Sequence, residues 1–268
     1  MLGTVLASTL GAPMSLQPSE EAAHGGHCPP GKPIGMMYNH ISKTGGSTMK
    51  GVLSTVFGGK PSCCRLTSHS PPSKAALASF PPNGALVIQD DATDLQVTSA
   101  DAHNYFVIGL VRRPCDFALS NWAYGSDRNR AKGQKQKYDG GSPPYQSAND
   151  KTTFEGYLMM ENAKGNVNPD HQLSSMSNML HKRVPDESQV HCWARTHSLV
   201  DDVQKCVNQF VGCGGNSTFA DWASLKNSKE MASNHAPCSH YFNTTTMKNI
   251  MAQEGALISR YNLGSCCS

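Results

Sequence analysis

The stretch that decides the fold lies at residues 36–48 and reads Met36-Met37-Tyr38-Asn39-His40-Ile41-Ser42-Lys43-Thr44-Gly45-Gly46-Ser47-Thr48. It begins as an apolar run and ends in two glycines. Apolar residues then follow at helical spacing: Met49, Val52, Leu53, Val56 and Phe57. This order predicts a strand, a tight turn at Gly45 and Gly46, and an amphipathic helix.

The beginning of that helix is a predicted anion site. The first peptide N–H groups of a helix have no intrahelical acceptors and lie at the positive end of the helix dipole. Lys43 adds a full charge, and Thr44, Ser47 and Thr48 add hydroxyl donors. The common nucleotide-triphosphate loop has its lysine after the glycines, whereas Lys43 precedes them. The turn therefore predicts phosphate binding by a different loop.

The composition limits the class of protein. The chain has 268 residues, 38% of them hydrophobic, with a formal net charge of +3. This length suits one α/β domain with a substantial core, and the charge is too small for a typical nucleic-acid binder. No apolar run approaches the roughly 20 residues of a membrane span. Residues 1–12 are mildly apolar and have no basic residues at their beginning, which fits either a tail or a targeting segment. Membrane association is expected only if this stretch is a targeting segment.

The cysteine content points to an oxidising compartment. The ten cysteines are Cys28, Cys63, Cys64, Cys115, Cys192, Cys206, Cys213, Cys238, Cys266 and Cys267. An even number with two adjacent pairs favours disulfides in a lumenal or secreted protein. Two glycosylation sequons, beginning at Asn216 and Asn243, agree with that location. The alternative is chance sequons and buried thiols, Cys206 among them.

Strands and helices alternate early in the chain, and helices dominate late. Residues 1–32 are rich in Gly, Pro, Ser and Ala and predict a disordered or targeting lead-in, with one domain over 33–268. Residues 84–91 and 105–111 predict buried parallel strands. The expected fold is α/β, a three-layer P-loop-like arrangement with a central parallel sheet flanked by helices and a helix-rich C-terminal half.

The later helices are predicted from their apolar spacing and their boundaries. Pro114 predicts a helix start, and residues 125–150, which lose periodicity, predict a basic mobile loop around 128–137. Helices are also predicted from a capping box at residues 152–155, from Leu173 to Leu180, from Leu199 to Val211, and as one segment from Met247 to Tyr261.

A second motif follows the strand at 105–111 and reads Arg112-Arg113-Pro114-Cys115-Asp116-Phe117-Ala118-Leu119-Ser120. Together with the Lys-Thr-Gly-Gly-Ser-Thr turn, it resembles the sulfotransferases that use 3′-phosphoadenosine 5′-phosphosulfate (PAPS). The later helical pattern Thr153-Phe154-Glu155-Gly156-Tyr157-Leu158 is similar to that of the Golgi and bacterial carbohydrate sulfotransferases. In the PAPS-dependent family the second motif has the form R-D-P-x-x-R-x-x-S. Arg113 stands where the family has Asp, and Phe117 stands where it has a second Arg.

The resemblance implies roles for these residues. Residues 43–48 would bind the 5′-phosphosulfate of PAPS, and Arg112 and Ser120 would bind its 3′-phosphate. The missing arginine at position 117 would weaken that second contact unless Arg113 replaces it. Lys43 would also neutralise charge on the leaving oxygen, and no metal is expected in such an enzyme.

The catalytic base and the acceptor are less well defined. His69, in Arg65-Leu66-Thr67-Ser68-His69-Ser70-Pro71, resembles the segment that carries the catalytic histidine in cytosolic sulfotransferases. Asp90 and Asp91 are rivals, followed by the remaining histidine candidates His40, His103 and His171. The acceptor would offer a hydroxyl or an amine, most simply on a carbohydrate. The basic loop is compatible with an anionic glycan as acceptor and equally with a solvated loop that has no specific role. The implied location is the Golgi lumen or outside the cell.

Two other functions compete with this interpretation. A nucleotide kinase or NTPase would use Lys43 and would hold Mg²⁺ at Asp90, at the end of a strand that resembles a Walker B segment. A catalytically inactive module of the same fold would bind a sulfated or anionic glycan.

Overall fold

A five-stranded parallel sheet forms the centre of the molecule. The computed structural model describes residues 27–58, 65–66, 85–89, 95–132, 154–155, 158, 175–217, 219–226 and 237–267. The strands are β1 (Gly35–Asn39), β2 (Arg65–Leu66), β3 (Ala85–Gln89), β4 (Tyr105–Val111) and β5 (Cys192–Arg195). Their order in the sheet is β2-β3-β1-β4-β5, with every neighbouring pair parallel. The predicted α/β class with a parallel sheet is confirmed.

Nine α-helices accompany the sheet in the described part of the chain. They are α1 (Gly46–Val56), α2 (Ser99–Asn104), α3 (Pro114–Lys132), α4 (Met176–Arg183), α5 (Leu199–Gly212), α6 (Trp222–Leu225), α7 (Cys238–Tyr241), α8 (Thr244–Gln253) and α9 (Gly255–Arg260). Short 3-10 turns at Glu187–Gln189 and Thr196–Ser198 flank β5. No helix among the described residues is both long and apolar enough to cross a bilayer.

Both faces of the central strands β1 and β4 are buried, which is why these two strands are almost entirely apolar. Met36 and Tyr38 of β1 point to the face packed by α1 and α5, whereas Met37 packs with residues of α4 and α9. The alternation follows from the two-residue period of a strand. All five residues of β1 and all seven of β4 are buried, as expected for a parallel sheet with helices on each side.

Four disulfides are present among the described residues, and they join positions 14 to 185 residues apart: Cys28–Cys213, Cys115–Cys266, Cys192–Cys206 and Cys238–Cys267. Cys192–Cys206 links β5 to α5, and Cys115–Cys266 links the start of α3 to the C-terminal segment. Cys63 and Cys64 lie outside the described residues. Disulfides at this density are compatible with a secreted or lumenal protein, as the cysteine count predicted.

The predicted helices at α1, α4 and α5 are confirmed, and α3 begins at Pro114 as expected. Two boundaries were wrong. α3 continues to Lys132, so the chain from residue 125 to 132 is helical rather than part of a loop. The single helix expected from Met247 to Tyr261 is two helices, because the chain is interrupted at Glu254. The buried carboxylate of Glu254 accepts a hydrogen bond from the backbone N–H of Ser177, at 3.1 Å.

The sequence also predicts a short helix around Ala75–Phe80, which lies outside the described residues. The predicted lead-in, the predicted loop and the capping box at 152–155 are described only in part. Residues 1–26, 67–84, 133–153 and 159–174 lie outside the described residues. Residues 27–32 contain no helix or strand, but Cys28 is bonded to Cys213.

Candidate functional site

The turn between β1 and α1 has the backbone that its glycines predict. Gly45 is the N-cap of α1 with φ of +96°, and Lys43 also has a left-handed backbone, with φ of +64°. No side chain caps α1, and its first turn contains no acidic residue. The N–H groups of the first turn have no acceptors within the helix. The turn therefore presents donors and the positive end of a helix dipole at the carboxyl edge of the sheet.

His40 supports this turn from the interior. Its ring is buried against Gly46, where an added Cβ would lie 1.7 Å from Nε2 of His40. Arg183 of α4, also buried, donates a hydrogen bond to the carbonyl oxygen of His40 at 3.3 Å. Gly46 is thus required for the close contact of α1 with the end of β1. If His40 were the catalytic base, its ring would have to reach the acceptor from the interior side of the turn between β1 and α1.

Arg112 connects the turn to the neighbouring strand. It follows β4, and its Nη1 donates a hydrogen bond to the carbonyl oxygen of Lys43 at 3.0 Å. Its Nε is buried and has no hydrogen-bond partner among the described residues. Burial lowers the pKa of the Arg112 guanidinium. The negative charge of Asp116 raises this pKa, but the effect of burial is larger. The two sequence motifs therefore meet directly at adjacent strand ends.

Thr196, immediately after β5, adds a third contact to the same place. Its Oγ1 lies 2.5 Å from the carbonyl oxygen of Thr44 and 3.0 Å from that of Val111. A hydroxyl has one proton, so it donates to one of these oxygens at a time. Thr44 in turn donates its own hydroxyl proton to the carbonyl oxygen of Ile41 at 2.8 Å. The ends of β1, β4 and β5 are joined by these bonds.

A cleft of about 230 Å³ opens beside these contacts and is lined by Arg112, Arg113, Asp116, Thr196 and His197. Arg113 donates from Nε to the carbonyl oxygen of Leu263 at 3.1 Å, and its Nη1 lies 3.9 Å from the carboxylate of Asp116. Burial is the main cause that lowers the pKa of His197, and the positive charges of Arg113 and Arg195 lower it further. The negative charge of Asp202 raises this pKa but does not offset the other effects. The cleft is thus rich in cations and in N–H donors.

Asp202 of α5 holds the turn after β5 in place. Its carboxylate has no exposed surface and accepts two hydrogen bonds from the Arg195 guanidinium, at 2.7 and 3.0 Å. It also accepts one from the Arg195 backbone N–H at 3.0 Å and one from the Ser198 hydroxyl at 2.9 Å. Burial alone would raise the pKa of Asp202, but the hydrogen bonds and the charge of Arg195 outweigh it and lower the pKa.

The other predicted site residues are distributed as follows. Ser120 is buried in α3, one helical turn beyond Asp116, and is not among the residues that line the cleft. His103 lies in α2, which leads into the amino end of β4, so it is at the opposite edge of the sheet from Arg112. The remaining candidates for the base, His69, Asp90, Asp91 and His171, lie outside the described residues.

Sequence reasoning missed Thr196, His197 and Asp202. The strand before them has only four residues, too short for a periodic pattern, and no glycine marks the turn. The one available indication was the apolar stripe of α5, which places its start near residue 199 and therefore implies a preceding turn. Comparison of the chain with protein-family models, with curated proteins and with solved structures finds no match.

Proposed function

We propose that the chain is a sulfotransferase that moves a sulfuryl group from PAPS to a hydroxyl or amine acceptor, most simply on a carbohydrate. The observation that carries this proposal is the hydrogen bond from Arg112 to the Lys43 carbonyl oxygen. It joins the two motifs that resemble the donor-binding elements of such enzymes, at neighbouring ends of a parallel sheet, where α/β folds bind their ligands.

The chemistry requires a bond to form between the acceptor oxygen or nitrogen and sulfur while the bond between sulfur and the bridging phosphate oxygen breaks. The acceptor proton passes to a base, and the leaving product is 3′-phosphoadenosine 5′-phosphate. The N–H groups at the start of α1 would bind the 5′-phosphate, and Lys43 would neutralise charge that develops on the leaving oxygen. His69, Asp90 and Asp91 remain the proposed candidates for the base.

Three further features of the proposal rest on the same resemblance. The fold would be P-loop-like, no metal would be needed, and the protein would act in the Golgi lumen or outside the cell. The basic residues at 128–137 would favour an anionic glycan as acceptor. The four disulfides support the compartment, since such bonds persist in oxidising environments.

The test is calorimetric titration with 3′-phosphoadenosine 5′-phosphate of the wild type, Lys43→Ala and Lys248→Ala. Alanine keeps a Cβ at position 43, so the left-handed backbone is as costly as with lysine and only the long charged side chain is lost. Lys248 is an exposed lysine of α8 and serves as the charge-matched control. We expect a Kd on the order of 1 μM for the wild type and the control, and about tenfold weaker binding for Lys43→Ala.

Other outcomes would favour the rival functions. Equal affinity in Lys43→Ala and wild type would contradict the proposal. Binding of ATP only with Mg²⁺ would indicate a kinase or NTPase, with Asp90 as the metal ligand. A folded wild type that binds a sulfated glycan but no nucleotide would indicate the inactive glycan-binding module.

A further inference from the structure

The cleft next to the β1 turn has the composition of a second anion site. Arg112, Arg113 and His197 line it from two different elements, and the Thr196 hydroxyl lies at its edge. Planar guanidinium groups bind phosphate through paired N–H donors, and two of them can hold one phosphate from two sides. Because the cleft adjoins the start of α1 through the Arg112–Lys43 contact, one ligand with two anionic groups would fit both places.

Position 117 cannot contribute to such a site. Phe117 is 2% exposed and packs in the core on the face of the sheet that also contains Val107 and Trp193. An arginine there would place a charge among buried apolar side chains. Any second cation for a phosphate at this cleft must therefore come from another position, and among the described residues that line the cleft Arg113 and His197 are the two candidates besides Arg112.

We propose that Arg113 and His197, together with Arg112, bind a terminal phosphate monoester of the donor in this cleft. The inference rests on the proposed function, since the ligand is the 3′-phosphate of the adenosine donor. The sequence-based expectation has Ser120 complete the site with Arg112 and names Arg113 as a replacement for the missing arginine; the new element is His197, in place of Ser120. Here the turn after β5 provides the partner, and the loss of an arginine at position 117 is compensated by a residue of a different strand end.

Among the described residues, Asp116 is the one carboxylate that lines the cleft, and its charge would repel an anion there. Its carboxylate lies 3.9 Å from Nη1 of Arg113, near the upper limit for an ion pair, and both side chains are partly buried. An incoming phosphate would compete with Asp116 for Arg113. Asp116→Asn should therefore strengthen binding of the phosphate monoester by a few fold, because it removes the repulsion and keeps a side chain of the same size.

The experiment compares two ligands, 3′-phosphoadenosine 5′-phosphate and adenosine 5′-phosphate, which differ only in the 3′-phosphate. Affinities are measured for wild type, Arg113→Ala, His197→Asn and the control Lys248→Ala. We expect the preference of the wild type for the bisphosphate to fall about tenfold in Arg113→Ala and severalfold in His197→Asn, with binding of the monophosphate unchanged. Lys248→Ala should keep the wild-type preference.

Protonation of His197 gives a readout that a merely structural role would not change. Arg112, Arg113 and Asp116 line the cleft with it, and Arg195 and Asp202 also act on its charge. Its lowered pKa leaves it neutral at pH 7 in the free protein, and a bound phosphate dianion raises that pKa, so binding takes up a proton. Affinity for the bisphosphate should rise as the pH falls from about 8 to about 6, where the phosphate itself begins to protonate. His197→Asn should remove this slope.

The outcomes separate the inference from the proposed function. If the wild type prefers the bisphosphate but Arg113→Ala and His197→Asn keep that preference, the inference is wrong and the function stands. If the wild type binds both ligands equally and Lys43→Ala weakens both, the 3′-phosphate is not recognised in the cleft and the inference is again wrong. If the wild type binds neither ligand, the proposed function itself fails. Arg113→Ala also loses the bond to Leu263, so His197→Asn provides the test that leaves this contact intact.

Discussion

The turns after β1 and after β5 touch each other across the end of β4, but they are held in shape by different means. The first depends on backbone conformation, with Gly45 at φ of +96° and Gly46 directly against the ring of His40. The second contains no glycine and depends on side chains, above all the buried Asp202 carboxylate that binds Arg195 and Ser198. A turn built on glycine is visible in a sequence, whereas a turn built on a carboxylate seven residues away is not.

The largest effect should come from the carboxylate that supports the second turn. Asp202→Ala would leave the Arg195 guanidinium, 16% exposed, without its bidentate partner. Breaking a buried ion pair on one side costs about 3 to 5 kcal/mol, so we expect a loss of this size in the free energy of unfolding, measured with urea. The control is the neighbouring Asp201→Ala, which breaks a pair with Lys226 in which both side chains are more than half exposed and which should cost at most about 1 kcal/mol.

The pH dependence of this effect has a defined sign. The pKa of Asp202 is lower in the folded than in the unfolded protein, so its contribution is fully present above its ordinary pKa of 3.8 and is lost as the pH falls through the folded value. The stability of wild type and Asp202→Ala should therefore converge on acidification. A cost below about 1 kcal/mol at neutral pH would show that the turn after β5 does not depend on this carboxylate.

Gly46→Ala should have the next largest effect, on the first turn. The new Cβ would lie 1.7 Å from Nε2 of the His40 ring, so either the ring or the start of α1 must move. Overpacking of this kind costs about 3 kcal/mol, and the displaced turn should also lose affinity for 3′-phosphoadenosine 5′-phosphate. Urea unfolding and calorimetry measure the two quantities.

Gly212→Ala provides the matched control for that substitution. Gly212 is the last residue of α5, and an added Cβ there would meet no atom within 4 Å. Alanine should be neutral or should stabilise the protein by up to about 1 kcal/mol, since it lowers the entropy of the unfolded chain. If Gly46→Ala behaved like Gly212→Ala, the glycine at position 46 would not be needed for the contact with His40.

The same contrast explains what the sequence could predict. β3, β4 and α1 were recognised because each buries a run or stripe of apolar residues long enough to show its period. The resemblance assigns Arg112 and Lys43 to one donor molecule, and the structure brings the two residues into direct contact at neighbouring strand ends. In these cases the local sequence pattern and the position in the fold predict the same element.

The remaining differences have tertiary causes. Ser120 has the expected spacing from Arg112, but it is buried in α3 and does not line the cleft, so its role at the 3′-phosphate stays a prediction. α3 continues past residue 125 although its polar residues lose periodicity there, so amphipathic spacing alone did not find its end. His197 reached the cleft only because β5 pairs with β4, a pairing between positions far apart in the chain that no local pattern encodes.

The smallest predicted effect concerns the hydroxyl that joins the two turns. Thr196→Val has nearly the same shape, but it leaves the carbonyl oxygens of Thr44 and Val111 without the donor they now share. Loss of one such bond costs about 1 kcal/mol of stability, and the looser turn should bind 3′-phosphoadenosine 5′-phosphate a few times more weakly.

Thr196→Ser separates the hydroxyl from the methyl group. Serine keeps the donor but removes Cγ2, the atom that an added Cβ at Gly45 would approach to 3.2 Å. If the valine variant weakens nucleotide binding and the serine variant does not, the side-chain turn after β5 holds the glycine turn after β1 through this bond. If both variants bind as the wild type does, each turn keeps its shape alone. The lack of an effect would then mean that His40 and Gly46 are sufficient to form the anion site.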